Sequence, residues 1–145
     1  MAERYVAILT DGMMDYYEIK SMKVDPDKKD MLAFAEETIG CSCVELVRPV
    51  GLNGKYAFFV DDNGHANGRS VNFFASALYS PDEIDGAAIV GKAVVVKYYD
   101  DGTVDWLDEQ DIEIIRKLAK DAADQQMRAF RELLASGGIQ ARPVE

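Results

Sequence analysis

Residues 87–99 read Ala87-Ala88-Ile89-Val90-Gly91-Lys92-Ala93-Val94-Val95-Val96-Lys97-Tyr98-Tyr99, and this run decides the fold. It is an almost unbroken series of β-branched and aromatic residues, the types that suit a pleated surface, and only Gly91 interrupts it. The reading is a strand at the centre of a sheet. Asp100-Asp101-Gly102 then supplies a turn. Downstream, Asp108 begins a long helix: Glu109 and Asp111 place negative charge in its first turn, where the helix dipole favours it. Ile112, Ile115, Ala119 and Ala122 recur at helical intervals, and Phe130, Leu133 and Leu134 continue the stripe to Gly137-Gly138. Residues 139–145, with Pro143, are expected to fray.

Upstream of the run, Val71, Phe74, Ala75 and Leu78 have helical spacing, which predicts a short helix within 65–80. Residues 56–60 are a short aromatic and β-branched strand that enters the turn Asp61-Asp62-Asn63-Gly64. Residues 41–47 form another strand, ended by Pro49 and the segment 51–54, so that a second hairpin results. Before it, Asp25-Pro26 reads as an N-cap followed by proline at the first helical position, with Met31, Phe34, Ala35 and Ile39 on one face and Gly40 as the stop. The chain opens with a hairpin: residues 4–9, the turn signal Asp11-Gly12, and a returning strand over 16–24. Together these predict one α+β domain over 1–138, with an antiparallel or mixed sheet of about five strands, one medium helix, one short helix and a long C-terminal helix.

The chain has 145 residues, 48% of them hydrophobic and 29% charged, a composition far from that of disordered segments. Twenty-six acidic residues against sixteen Lys and Arg leave a net charge of −10, which repels phosphate backbones and argues against direct nucleic-acid binding. The first ten residues lack the apolar core and cleavage site of a secretory signal, and no run is long and apolar enough for a membrane span. A cytoplasmic protein without membrane contact is the expectation. Cys41 and Cys43 are too close along a strand for a disulfide; two buried structural thiols are expected.

Few residues point to chemistry. His65 is the single histidine, so any imidazole-based catalytic or metal site would rest on it alone, and no second ligand has recognisable spacing. Asp61-Asp62-Asn63-Gly64 lacks the alternating oxygens and terminal Glu of a calcium loop. Phosphate-binding glycine loops and nucleophile elbows are absent from the sequence. No catalytic residue, metal or cofactor is therefore assigned. The segment 63–72 is different: it concentrates hydrogen-bonding side chains among glycines, and a polar, nucleotide-like small molecule would be held there by Arg69 and Asn72, with Asn67 and His65 beside them. Between Asp100 and Glu113 lie seven acidic residues and no Lys or Arg. That segment suggests a docking surface for a basic protein, formed by Asp105, Asp108, Glu109 and Asp111 with Trp106 as an aromatic anchor. The stripe of the last helix runs about 40 Å over roughly 27 residues. Its end, Met127, Phe130 and Leu134, either packs within the chain or pairs with a second copy in a homodimer.

The order of these features resembles a known family. A helix ending at Gly40, the strand Val44-Glu45-Leu46-Val47, an aromatic strand and an acidic turn ending in Gly64 come first, followed by Gly68 and Asn72. Ile89-Val90-Gly91-Lys92-Ala93, the turn Asp101-Gly102 and the helix start Trp106-Leu107-Asp108-Glu109-Gln110-Asp111-Ile112 complete the series. Residues 39–118 so resemble the small phage-, plasmid- and bacterium-borne proteins called domain of unknown function 3846. Arg69-Ser70-Val71 and Phe73 stand where that family has a Leu-Pro-Pro-like stretch and a basic residue. The resemblance implies a small accessory protein of mobile elements or their hosts, and it brings no catalytic residue.

The function expected from the sequence is therefore a non-enzymatic accessory protein that binds another macromolecule through an acidic surface. A protein that binds or sequesters a small molecule is the alternative, and an enzyme without a recognisable motif is a further one.

Overall fold

The computed structural model describes residues 3–10, 19–27, 30–79 and 88–136. Six strands and three helices follow one another as β1 (Arg4–Leu9), β2 (Lys20–Val24), α1 (Met31–Ile39), β3 (Val44–Val47), β4 (Tyr56–Asp61), α2 (Phe73–Tyr79), β5 (Ala93–Tyr98), β6 (Val104–Asp105) and α3 (Glu109–Ala135). A 3-10 turn, Val50–Leu52, joins β3 to β4. All strand pairs are antiparallel, in the order β2-β1-β5-β4-β3, so the fold is α+β.

The valine run is the middle of the sheet. Val95 pairs with Ala7 on one side and Phe58 on the other. Farther along β5, Lys97 pairs with Tyr56 of β4 and with Asp105 of β6, so β6 takes over the side that β1 occupies earlier. Ala93, Val94, Val95 and Val96 are wholly inaccessible, and because successive side chains point to opposite faces, both faces must be covered. Val95, Phe58, Ala7 and Leu9 pack with α2 and α3 through Leu78, Ile112, Ile115 and Ala119. Val94, Val96, Ile8 and Phe59 pack on the opposite face with Phe34, Ala35 and Ile39 of α1 and with Trp106. Burial of each of the Val, Leu, Ile and Phe side chains among these contributes roughly 1.5–3 kcal/mol.

Local chemistry moves several boundaries from where the sequence placed them. The N-cap of α1 is Asp30, whose carboxylate accepts the backbone N–H groups of Leu32 and Ala33 at 2.9 and 3.2 Å. Asp25 instead accepts from Asp27 at 3.1 Å, an Asx turn around Pro26, and so lies outside the helix. Gly40 closes α1 at φ 82°, a left-handed cap that only glycine adopts without cost. The following strand starts at Val44 rather than Cys41; Cys41 is half-buried and Cys43 exposed, both as free thiols, in place of the two buried cysteines expected. Helix α2 occupies only 73–79, since residues 62–68 turn and Val71 bridges Val90. Gly91, at φ 77°, separates that bridge from β5. The turn at Asp11-Gly12, residues 16–18 of the returning strand, Ala87, Gly137-Gly138 and the tail 139–145 lie outside the described residues.

Two aspartates thus compete as start signals, and their contribution to stability separates them. Asp30→Ala is expected to lower the unfolding free energy by about 1 kcal/mol, while Asp25→Ala leaves it within roughly 0.5 kcal/mol. Urea titrations of both variants check this; an equal or larger loss at Asp25 contradicts the observed cap.

Candidate functional site

The loop after β4 is organised around Asp61. Its side chain is only 1% exposed, and one carboxylate oxygen, Oδ2, accepts from Arg69 Nε at 2.6 Å and Asn67 Nδ2 at 2.9 Å. The other accepts the backbone N–H of Asn63 at 2.9 Å. Burial pushes the carboxyl's pKa upward, but these bonds and the guanidinium charge outweigh it and hold Asp61 below its ordinary value. Arg69 also donates through Nη2 to the carbonyl of Gly40 at 2.9 Å, which ties the loop to the end of α1. Gly91 makes room for this arginine: a Cβ there would lie 2.6 Å from Arg69 Cδ.

Of the four residues expected to hold a ligand, the loop brings two together, Asn67 and Arg69, and both are engaged by Asp61. Asn72 is fully buried. Its Nδ2 donates to the carbonyls of Leu9 and Gly91, each at 2.8 Å, and its Oδ1 accepts from the backbone of Ala75 at 3.0 Å. That side chain fastens β1, the approach to β5 and the start of α2, and no donor remains for a ligand. His65 is exposed, with Nε2 3.1 Å from the carbonyl oxygen of Ala88. It lines a pocket of about 390 Å³ with Glu45, Asp62, Tyr79 and Val90.

A second cluster sits where β5 meets α3. Lys97 reaches Asp108 Oδ2 at 2.8 Å and Asp111 Oδ2 at 3.2 Å, and Arg4 reaches Asp108 Oδ1 at 3.2 Å. Asp111 Oδ1 accepts from Tyr56 Oη at 2.6 Å, while Oδ2 accepts the backbone N–H of Asp108 at 2.7 Å. The hydrogen bond from Lys97 depresses the pKa of Asp108, and the same bond raises that of Lys97 against the effect of burial. Burial, followed by the bond to Asp111, raises the Tyr56 phenol. Lysine and tyrosine are thus both held protonated, a neutralised junction rather than a source of base. Beside it opens a shallow pocket of about 330 Å³ lined by Lys55, Tyr98, Tyr99 and Asp100.

This junction redistributes the acidic segment. Asp108 and Asp111 are consumed by Lys97, and Asp105 accepts the backbone N–H of Trp106 at 2.8 Å. Trp106 is 7% exposed and meets Phe34 edge-on at 5.7 Å, so it belongs to the core under α1 and offers no anchor to a partner. Glu109 is exposed, and the exposed aromatic at this end is Tyr99, at 45%. Lys97, Tyr56 and Asp61 organise both clusters and were not singled out by sequence reasoning, although a lone lysine inside an apolar strand was a visible signal. Among the described residues no three metal-ligating side chains gather, and no helix is long and apolar enough to cross a membrane. No family model, curated protein or solved structure matches the chain.

Asp61→Ala is expected to destabilise by roughly 2–4 kcal/mol, because Arg69 and Asn67 lose their acceptor. The carboxyl's folded-state pKa is depressed, so its contribution is complete above the unfolded-state value and is lost as the pH falls through the folded-state value below it. Urea titrations of wild type and variant from neutral to strongly acidic pH check this: the two curves should converge at the acid end, and a constant gap contradicts the assignment.

Proposed function

We propose that the protein is a non-enzymatic accessory protein, working in the cytoplasm, that binds a basic macromolecular partner through the acidic end of its sheet. The observation that carries this reading is the Lys97 junction, which ties β5, close to its turn, to the start of α3. Asp100 lines a shallow pocket with Tyr99, Asp101 follows it in the turn, and Glu109 is exposed in the first turn of α3. A cationic side chain approaching there would meet the Tyr99 ring and the Asp100 carboxylate, beside Lys55 and the already paired Lys97. The net charge of −10 adds long-range attraction for such a partner. The resemblance of residues 39–118 to domain of unknown function 3846 supports a place among the small proteins of phages, plasmids or their hosts.

A small polar ligand is the second reading, favoured by the pocket of about 390 Å³ beside His65. Its volume lies within the ordinary range of small-molecule sites. In this reading His65 keeps the role expected of it, and Glu45 and Asp62 stand where Arg69 and Asn72 were expected.

Affinity capture from cells that produce the protein, read by native mass spectrometry, distinguishes the two. The first reading expects a basic protein on the wild type that is lost from Asp100→Lys with Glu109→Gln, while the urea midpoint of the variant stays close to wild type. Retention of that protein by the variant overturns it. A small added mass that disappears in His65→Ala supports the second reading instead.

A further inference from the structure

The long helix outlasts the domain it packs on. Asp111, Ile112, Ile115, Ala119 and Ala122 are its buried positions, and no residue after Ala122 is buried, although α3 continues to Ala135. Its last thirteen residues extend about 20 Å at 1.5 Å per residue. Along them Ala123, Met127, Phe130 and Leu134 recur at intervals of four, three and four, the spacing of a coiled-coil seam. Met127, Phe130 and Leu134 are 44%, 37% and 43% exposed, and Ala123 joins the seam to the core. Lys120 ends the seam on the upstream side.

We propose that this segment of α3 pairs antiparallel with the same segment of a second copy, about a two-fold axis between Met127 and Phe130. Two features of the charge pattern single out a second copy as the occupant. First, the segment is neutral within a strongly acidic chain: Lys120, Arg128 and Arg131 balance Asp121, Asp124 and Glu132. Two molecules of net charge −10 repel each other over most of their surfaces, and here they approach without that penalty. Second, the pattern is complementary to its own reverse. With Met127 set against Phe130 of the other copy, Ala123 meets Leu134, a small residue against a large one. In the same register Asp124, next to Ala123, faces Arg131, next to Phe130, and the two-fold axis makes that pair twice. Leu133 covers the other flank against Gln126. Asp124 already attracts a cation, Lys120, at 3.1 Å on its own helix. A parallel arrangement would instead set Arg131 against Gln126 and Asp124 against Ala119, and would gain no ion pair across the seam.

Sedimentation equilibrium of the purified full chain over a range of concentrations tests this, with circular dichroism as the check on folding. The wild type is expected to shift from monomer to dimer as concentration rises, with Phe130→Asp folded and monomeric. Arg131→Asp alone should weaken association roughly tenfold, since two exposed ion pairs become repulsive contacts. The exchange Asp124→Arg with Arg131→Asp should restore it. A wild type that stays monomeric overturns the proposal, as does a dimer that survives Phe130→Asp or an exchange variant no tighter than the single one. Asp100→Lys with Glu109→Gln should leave the dimer intact, which keeps this outcome separate from the acidic-end reading.

Discussion

Burial of β5 on both faces is the constraint from which the rest of the architecture follows. A strand that carries valine at three successive positions cannot turn one face to water without exposing apolar surface along its whole length. The chain meets this by placing α1 on one face and α2 with α3 on the other, and by surrounding β5 with β1, β4 and β6. Once the centre is covered twice, charge must leave it, and Lys97 is where the strand reaches its limit. Its ammonium is only partly exposed, so opposite charge has to come to it. The acids that do so begin α3, and their position at the helix N-terminus serves the dipole as well. One lysine thereby ties the start of the longest helix to the central strand and pairs two of its acidic residues.

The same logic explains what was legible in the sequence. The central strand, the long helix, the hairpin pairing of 4–9 and the α+β class are encoded in runs and periods, which survive any tertiary context. Helix starts were less secure, because Asp25-Pro26 and Asp30 are both plausible caps by residue type. Only the geometry of the carboxylate decides between them. Site roles were hardest to read. Asn72 and Arg69 look like ligand-binding residues because amides and guanidinium groups bind ligands, yet backbone carbonyls and buried carboxylates use the same donors. Trp106 was misplaced for a related reason: its sequence neighbours Asp105 and Asp108 are acidic, yet just after β6 the indole packs into the core against Phe34, so the acids say little about where it points.

Polar groups buried in this molecule work chiefly as fasteners between elements distant in sequence. Asn72 reaches β1 across 63 residues and also holds the segment before β5, Arg69 holds the loop to the end of α1, and Tyr56 links β4 to α3 through Asp111. Each of these bonds is satisfied at both ends, which costs little and specifies a unique arrangement.

Two surfaces remain, and their chemistry is opposite. The end near Tyr99 carries Asp100, Asp101 and the proposed contact for a basic partner, whereas the projecting end of α3 is neutral and apolar. Self-association through the acidic end would set like charges against each other, and a basic partner gains nothing from a neutral seam. The two therefore do not compete: pairing through α3 would present two acidic ends to a single target. Two weak contacts joined in this way bind far more tightly than either alone when the target carries two matching sites, because the second contact forms at a high effective concentration. A shallow acidic surface of modest individual affinity is in that case sufficient, and the helix that outlasts its own core acquires a physical reason for its length.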